Sequence, residues 1–217
     1  MHLTAYDIIY RAIILIGALT GFLYWSRLSA AFRLLALFLL YTFISESAAL
    51  YMAFTRNFNY SVFKVYLLVQ IAFWGGVYFF LLTNKTAKKL TLALSAALWV
   101  ISCIYIFSLP EKKMPIIMID VESVLLIFFS ISYFYFLIRN PVEDNILKLP
   151  GFWLSSSVLI YNCGSFIYIA SFNFLANTGI TKITLNNVHN ALNIFHYGVL
   201  LYAMLLQVKR RQYAKCP

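Results

Sequence analysis

The chain has 217 residues, of which 63% are hydrophobic, 18% aromatic and only 11% charged, and its mean hydropathy is +0.82. These values exclude an ordinary soluble globular domain and indicate a protein whose solvent is the lipid bilayer. The net charge of +10 does not predict a nucleic-acid partner, because the basic residues are divided among loops and helix ends.

Seven apolar runs follow one another along the chain, each close to the roughly 20 residues that a helix needs to cross a bilayer. They lie at 6–25, 34–54, 60–83, 90–109, 115–138, 152–174 and 188–207. The short connections favour antiparallel neighbours, and no repeat or linker divides the chain. We therefore predict an all-α fold, a polytopic transmembrane bundle of about seven helices that forms a single domain over residues 1–217.

The positions of Lys and Arg predict the orientation of this bundle. Eleven basic residues fall on the side of the C-terminus and six on the opposite side. Cytoplasmic loops carry the excess of Lys and Arg in membrane proteins, which places the N-terminus outside and the C-terminus inside the cytoplasm. The basic side would also meet anionic lipid headgroups, so membrane lipid is one expected partner.

In the first span, Gly17 and Gly21 form a G-x-x-x-G pair. Such a pair lets a second helix approach closely, although two small residues also recur by chance in apolar helices. No proline interrupts the middle of a span, since all five prolines lie at helix ends or in loops. The helices are therefore expected to be continuous, unlike the broken helices of many transporters.

Polar side chains within the spans collect in the half that the predicted orientation places outside. A charge in hydrocarbon costs about 2.5 kcal/mol or more and is usually kept for a reason. The sequence therefore predicts a ligand-binding polar cavity that opens to the extracytoplasmic side. The residues predicted to line it are Arg11, Glu46, Gln70, Asp120, Asn162, His189, Asn193 and His196.

Two features of this set come from helical geometry. His189, Asn193 and His196 share one face of the last helix. Glu122 is rotated by about 200° from Asp120, so the two carboxylates cannot both point into the bundle. The alternative to a cavity is that these groups form interhelical hydrogen bonds and an Arg11 to carboxylate pair that hold the bundle together.

No metal site is predicted, and the cofactor is unknown. His189 and His196 are separated by about 10.5 Å along a helix, whereas both rings would have to lie about 2.1 Å from one zinc ion. Seven-helix membrane hydrolases such as alkaline ceramidases carry an H-x-x-x-H pair that this chain lacks. The last span has no Lys before Lys209 for a retinal Schiff base, and two His on one face cannot ligate haem from both sides.

Three segments, 152–169, 188–195 and 121–136, resemble a group of small bacterial seven-helix membrane proteins whose activity is uncharacterised. The resemblance is confined to the C-terminal half and implies that Glu122, His189 and Asn193 are signature positions. It also implies a multi-pass protein of the bacterial inner membrane. It implies nothing about a reaction.

The function that these observations favour is a receptor or sensor-like module. It would bind a small ligand or lipid in the outer cavity and pass a helix displacement to a cytoplasmic protein partner. That partner would contact the basic tail at 209–215 or the loop at 139–148. The alternative is an intramembrane enzyme, such as a lipid hydrolase, with Glu46, Asp120 or His196 as general acid or base. Transport and a structural role in a membrane complex also remain open.

Overall fold

The structure is a computed structural model that describes the backbone of residues 5–56, 59–110, 113–141, 145–177 and 182–213, and side chains within 5–55, 59–110, 113–141, 145–168 and 187–210. Over these residues it contains seven α-helices and no strand. The helices are α1 (Ala5–Leu23), α2 (Ala30–Arg56), α3 (Tyr60–Leu81), α4 (Lys85–Ser108), α5 (Ile116–Arg139), α6 (Pro150–Asn177) and α7 (Lys182–Tyr213). The prediction of an all-α bundle of about seven helices is confirmed.

Consecutive helices run in opposite directions. Tyr10 in the first half of α1 bonds to Glu46 in the second half of α2. On α6 and α7 the sequence order of the contacts is reversed, since Trp153 meets Tyr202 and Tyr168 meets His189. The odd-numbered helices therefore all begin at one end of the bundle, which we call the N-terminal end, and finish at the other, the C-terminal end. Which end faces the cytoplasm stays a prediction from the positive-inside rule.

Six helices form a closed ring in the order α1, α2, α3, α5, α6 and α7, and α4 packs outside it against α3 and α5. The C-terminal half of this ring is filled by apolar side chains that include Leu35, Phe129, Leu154 and Met204. Tyr78 from α3 reaches across this core to the hydroxyl of Ser130, 2.7 Å away. The ring is therefore solid in its C-terminal half.

The outer surface of the seven-helix bundle is apolar, as a bilayer requires. Large side chains such as Leu23, Ile104, Phe107 and Ile138 are more than two-thirds exposed. Among the described helices, α1 to α5 and α7 are each long and apolar enough to cross a membrane. α6, which is 28 residues long, packs between α5 and α7. The chain is a multi-pass membrane protein in contact with lipid.

The close approach of α1 and α2 depends on the two glycines of the G-x-x-x-G pair. Both are buried in α1. A Cβ added at Gly17 would lie 2.9 Å from the end of the Leu39 side chain, and one added at Gly21 would overlap the Cβ of Ala36 and meet its Cα. The structure therefore favours the packing interpretation of this pair over chance.

We expect Gly21→Ala to lower the stability of the bundle by about 1 to 3 kcal/mol, because an added methyl group in a tight interface forces backbone shifts. Thermal unfolding in detergent, followed by the loss of monodisperse protein, would measure this. Gly198→Ala is the matched control, since a Cβ at that position meets nothing within 4 Å. Equal melting temperatures for the two variants would show that α1 and α2 do not need this contact.

Candidate functional site

A cavity of about 470 Å³ lies in the N-terminal half of the ring. This volume falls within the range of small-molecule sites, roughly 300 to 1,000 Å³. Helices α2, α3, α5, α6 and α7 contribute its walls, and Met114 before α5 also lines it. Its polar lining comprises Glu46, Gln70, Glu122, Ser123, Asn162, Ser165, His189, Asn193 and His196, together with the phenols of Tyr66, Tyr161, Tyr168 and Tyr197.

Aromatic rings close the cavity toward the C-terminal half. His196 stacks on Tyr161 with ring centroids 4.4 Å apart and meets Tyr197 edge-on at 5.1 Å. Trp74 lies 6.2 Å from the same imidazole and is itself 2% exposed. Because the apolar core begins directly behind these rings, the cavity has a closed floor in the middle of the bundle.

Six of the eight residues predicted from the sequence line this one cavity. They are Glu46, Gln70, Asn162, His189, Asn193 and His196. Three of them come from α7 and share the face on which helical spacing placed them. The structure thus brings these side chains together in space, and whether they bind a ligand stays a prediction.

The other two predicted residues do not line the cavity. Arg11 lies on α1, behind Glu46, and its Nη2 is 3.7 Å from Glu46 Oε2. Asp120 lies on a different face of α5 and does not line the cavity. Glu122, which is not among the eight predicted residues, lines the cavity from the same helix. The reason is the rotation of α5, which turns Glu122, Leu126 and Phe129 inward as one buried face.

Glu46 is held by two groups from α1. The Tyr10 hydroxyl donates a hydrogen bond to Oε2 at 2.9 Å, and the Arg11 guanidinium supplies a positive charge near the same oxygen. The Arg11 and Glu46 side chains are 17% and 25% exposed, so the ion pair is only partly screened by solvent. These contacts neutralise Glu46 within the protein and join α1 to α2.

The His196 imidazole is oriented by Ser157 on α6. The Ser157 hydroxyl lies 2.8 Å from Nδ1 and donates to the His196 carbonyl oxygen at 3.0 Å. A hydroxyl has one proton, so when that proton goes to the carbonyl the hydroxyl oxygen accepts from Nδ1. This arrangement favours the tautomer protonated at Nδ1 and leaves Nε2 as a hydrogen-bond acceptor on a ring that lines the cavity.

Glu122 is the most deeply buried of the cavity's carboxyl groups. It is 3% exposed, and its Oε1 has no hydrogen-bond partner among the residues that the structure describes. His189 shares this property at Nδ1, while its ring stacks on Tyr168 at 5.2 Å. Ser165 Oγ is a third such atom, so three polar side chains of the lining have an atom without a hydrogen-bond partner among the described residues.

The aromatic residues of the lining were not predicted from the sequence, because the prediction used only ionisable and amide side chains. Tyr66, Gln70 and Trp74 recur every four residues on α3, and Tyr161, Ser165 and Tyr168 recur every three or four on α6. That spacing places each set on one helix face. Aromatic residues that share a face with a mid-span amide were thus a signal present in the sequence.

The lining can bind through hydrogen bonds, aromatic contacts and charge. Within the described part of the chain, no three His, Cys, Asp or Glu side chains come close enough together to hold a metal ion.

Comparison of the chain with known protein families, curated proteins and solved structures finds no match. These comparisons add nothing to the resemblance seen in the C-terminal half.

We expect Arg11→Gln to destabilise the protein by about 1 kcal/mol or more, because it leaves Glu46 partly buried without its counter-charge. The double variant Arg11→Gln with Glu46→Gln should recover part of this loss, since the uncompensated carboxylate is gone. Denaturant or thermal unfolding of the four proteins in the cycle would measure the coupling. Additive effects would show that the pair contributes nothing to stability.

Proposed function

We propose that this protein is a receptor-like membrane module that binds a small ligand or lipid in the cavity of its N-terminal half. The observation that carries this proposal is the convergence of polar and aromatic side chains from five helices on one closed-floored cavity. Apolar walls with a few converging polar groups are the usual composition of a small-molecule site. Hydrogen bonds between helices alone would not require a cavity of this size.

A route from the cavity to the cytoplasmic side follows α7 in the proposed orientation. This helix carries His189, Asn193 and His196 in the cavity lining and continues to the exposed Lys209 and Arg210. A ligand that moves α7 would therefore move this basic end. The proposed cytoplasmic protein partner would contact the tail at 209–215, of which residues 214 and 215 lie outside the described residues.

The bacterial inner membrane is the proposed location, with the N-terminal end outside. In this orientation the cavity lies toward the extracytoplasmic side. Neither the cavity nor the surface depends on this assignment, but the direction of signalling does.

Reporter fusions test the orientation. A green fluorescent protein joined to the C-terminus should be fluorescent in bacterial cells, and alkaline phosphatase joined there should be inactive, because eleven basic residues keep that side in the cytoplasm. Cell fluorescence and phosphatase activity are the two readouts. Active phosphatase with a dark fluorescent fusion would reverse the proposed direction of signalling.

An intramembrane enzyme acting on lipid is the second candidate. The observation in its favour is His196, whose ring is oriented by Ser157 and could act as a general base through Nε2. Ser157 itself is fully buried and does not line the cavity, so it is not placed as a nucleophile. Turnover lost in His196→Ala, with binding retained, would favour this reading over a receptor.

Native mass spectrometry of the gently purified protein tests the proposed function. We expect a bound small molecule in about equal stoichiometry, because a cavity of this composition favours occupancy. His196→Ala and Asn193→Ala should each lose most of it, since both side chains line the cavity. Asn190→Ala is the matched control on the same helix, since Asn190 is equally buried but lies against Asp7 of α1.

Two results would contradict the proposal. One is a wild-type protein that carries only bulk lipid. The other is a bound molecule that the cavity variants and the Asn190→Ala control retain equally, since it would then sit elsewhere on the protein. A wild-type protein that carries only bulk lipid would favour a structural role in a membrane complex.

A further inference from the structure

The charges that line the cavity do not balance. Two carboxyl groups, from Glu46 and Glu122, belong to its lining, and no Lys or Arg among the described residues does. Two cations of the ring helices, on α1 and α3, have partners of their own. Arg11 pairs with Glu46 from behind, and the Lys64 ammonium donates to the Pro110 carbonyl oxygen at 2.8 Å.

Of the two carboxyl groups in the lining, Glu122 is the one that no cation among the described residues pairs with. Arg11 and Tyr10 satisfy Glu46, whereas Glu122 is 3% exposed and its Oε1 lacks a partner among the described residues. A buried carboxylate is costly unless it is paired and hydrogen-bonded. A ligand that brings a donor and a positive charge would remove that cost, and an anionic ligand would increase it.

The walls around this carboxyl group are rich in aromatic faces. Tyr161, Trp74 and Phe38 line the same cavity as Glu122. Aromatic faces attract ammonium groups within about 6 Å of the ring centroid, most strongly when the pair is shielded from water. A carboxylate beside several aromatic rings is the combination that recognises amines and quaternary ammonium groups.

We infer that the ligand of this cavity is an organic cation, an amine or quaternary ammonium compound with an apolar body, whose charged group lies against Glu122. This inference rests on the proposed function and specifies its ligand class. A bare metal cation fits less well, because no three His, Cys, Asp or Glu side chains converge in the described chain. The apolar body would contact the aromatic walls.

The test uses four probes that share one apolar body and differ only in the head group. They are 4-phenylbutylamine, its N-trimethyl derivative, 4-phenylbutanol and 4-phenylbutyrate. The full-length protein is placed in nanodiscs of zwitterionic phosphatidylcholine, and binding is measured by isothermal titration calorimetry. Empty nanodiscs supply the blank for partitioning into lipid. We expect both cations to bind about tenfold or more tightly than the alcohol, and the carboxylate to bind most weakly.

Glu122→Gln should abolish the preference for the cations and leave the alcohol's affinity within about twofold, because the amide keeps the shape of the side chain and removes its charge. Asp120→Asn is the matched control, since it removes a carboxylate two residues away on the same helix that does not line the cavity. It should keep the wild-type order of affinities. The wild-type order tests the inference even if Glu122→Gln does not fold.

Three outcomes would overturn the inference. They are equal binding of amine and alcohol to the wild-type protein, tightest binding of the carboxylate, and binding of none of the four probes. Each leaves the proposed function standing if native mass spectrometry still finds a cavity-bound molecule. Loss of that molecule's signal altogether would instead remove the proposed function on which the inference rests.

Discussion

Hydrocarbon offers no hydrogen-bond partners, and this constraint governs where every polar group of the protein lies. Each helix satisfies the hydrogen bonds of its own backbone, so the constraint falls on the polar side chains. Glu46 is satisfied by Tyr10 and Arg11, His196 by Ser157, and Tyr78 by Ser130. All of these bonds lie inside the ring of helices, while the lipid-facing surface is apolar. Of the buried polar atoms that lack such a bond in the described residues, those of Glu122, Ser165 and His189 belong to side chains that line the cavity, whereas those of Asp120, Ser95, Ser102 and Ser155 do not.

The cavity exists because the two halves of the ring are packed differently. In the C-terminal half, small residues such as Gly21 and Ala36 bring helices together, and apolar side chains from all six ring helices fill the centre. In the N-terminal half the facing side chains are amides, imidazoles and carboxyls, which cannot interdigitate without polar partners. The stacked rings of His196 and Tyr161 mark the boundary between the two.

The sequence predicted the bundle well because hydropathy and length alone identify a membrane span. It predicted helix ends less well, since α4 begins at Lys85, where Asn84 caps it, five residues before the apolar run. Helical periodicity placed His189, Asn193 and His196 on one face of the last helix, and all three line the cavity. The prediction from the sequence placed Asp120 in the lining and not Glu122, because the sequence of α5 does not show which of its faces turns inward, and that rotation depends on packing against α3 and α6.

The correction on α5 changes the chemistry of the site. The lining has Glu122 on α5 in place of Asp120, and Arg11 lies behind Glu46 instead of in the lining. The two carboxyl groups of the lining, from Glu46 and Glu122, therefore have different surroundings. Glu46 has a cation behind it, on α1, and Glu122 faces the cavity with one oxygen unsatisfied among the described residues. The lining thus contains one carboxyl group that a described cation pairs with and one that no described cation pairs with, and this asymmetry is the physical reason to expect a cationic ligand and not an anionic one.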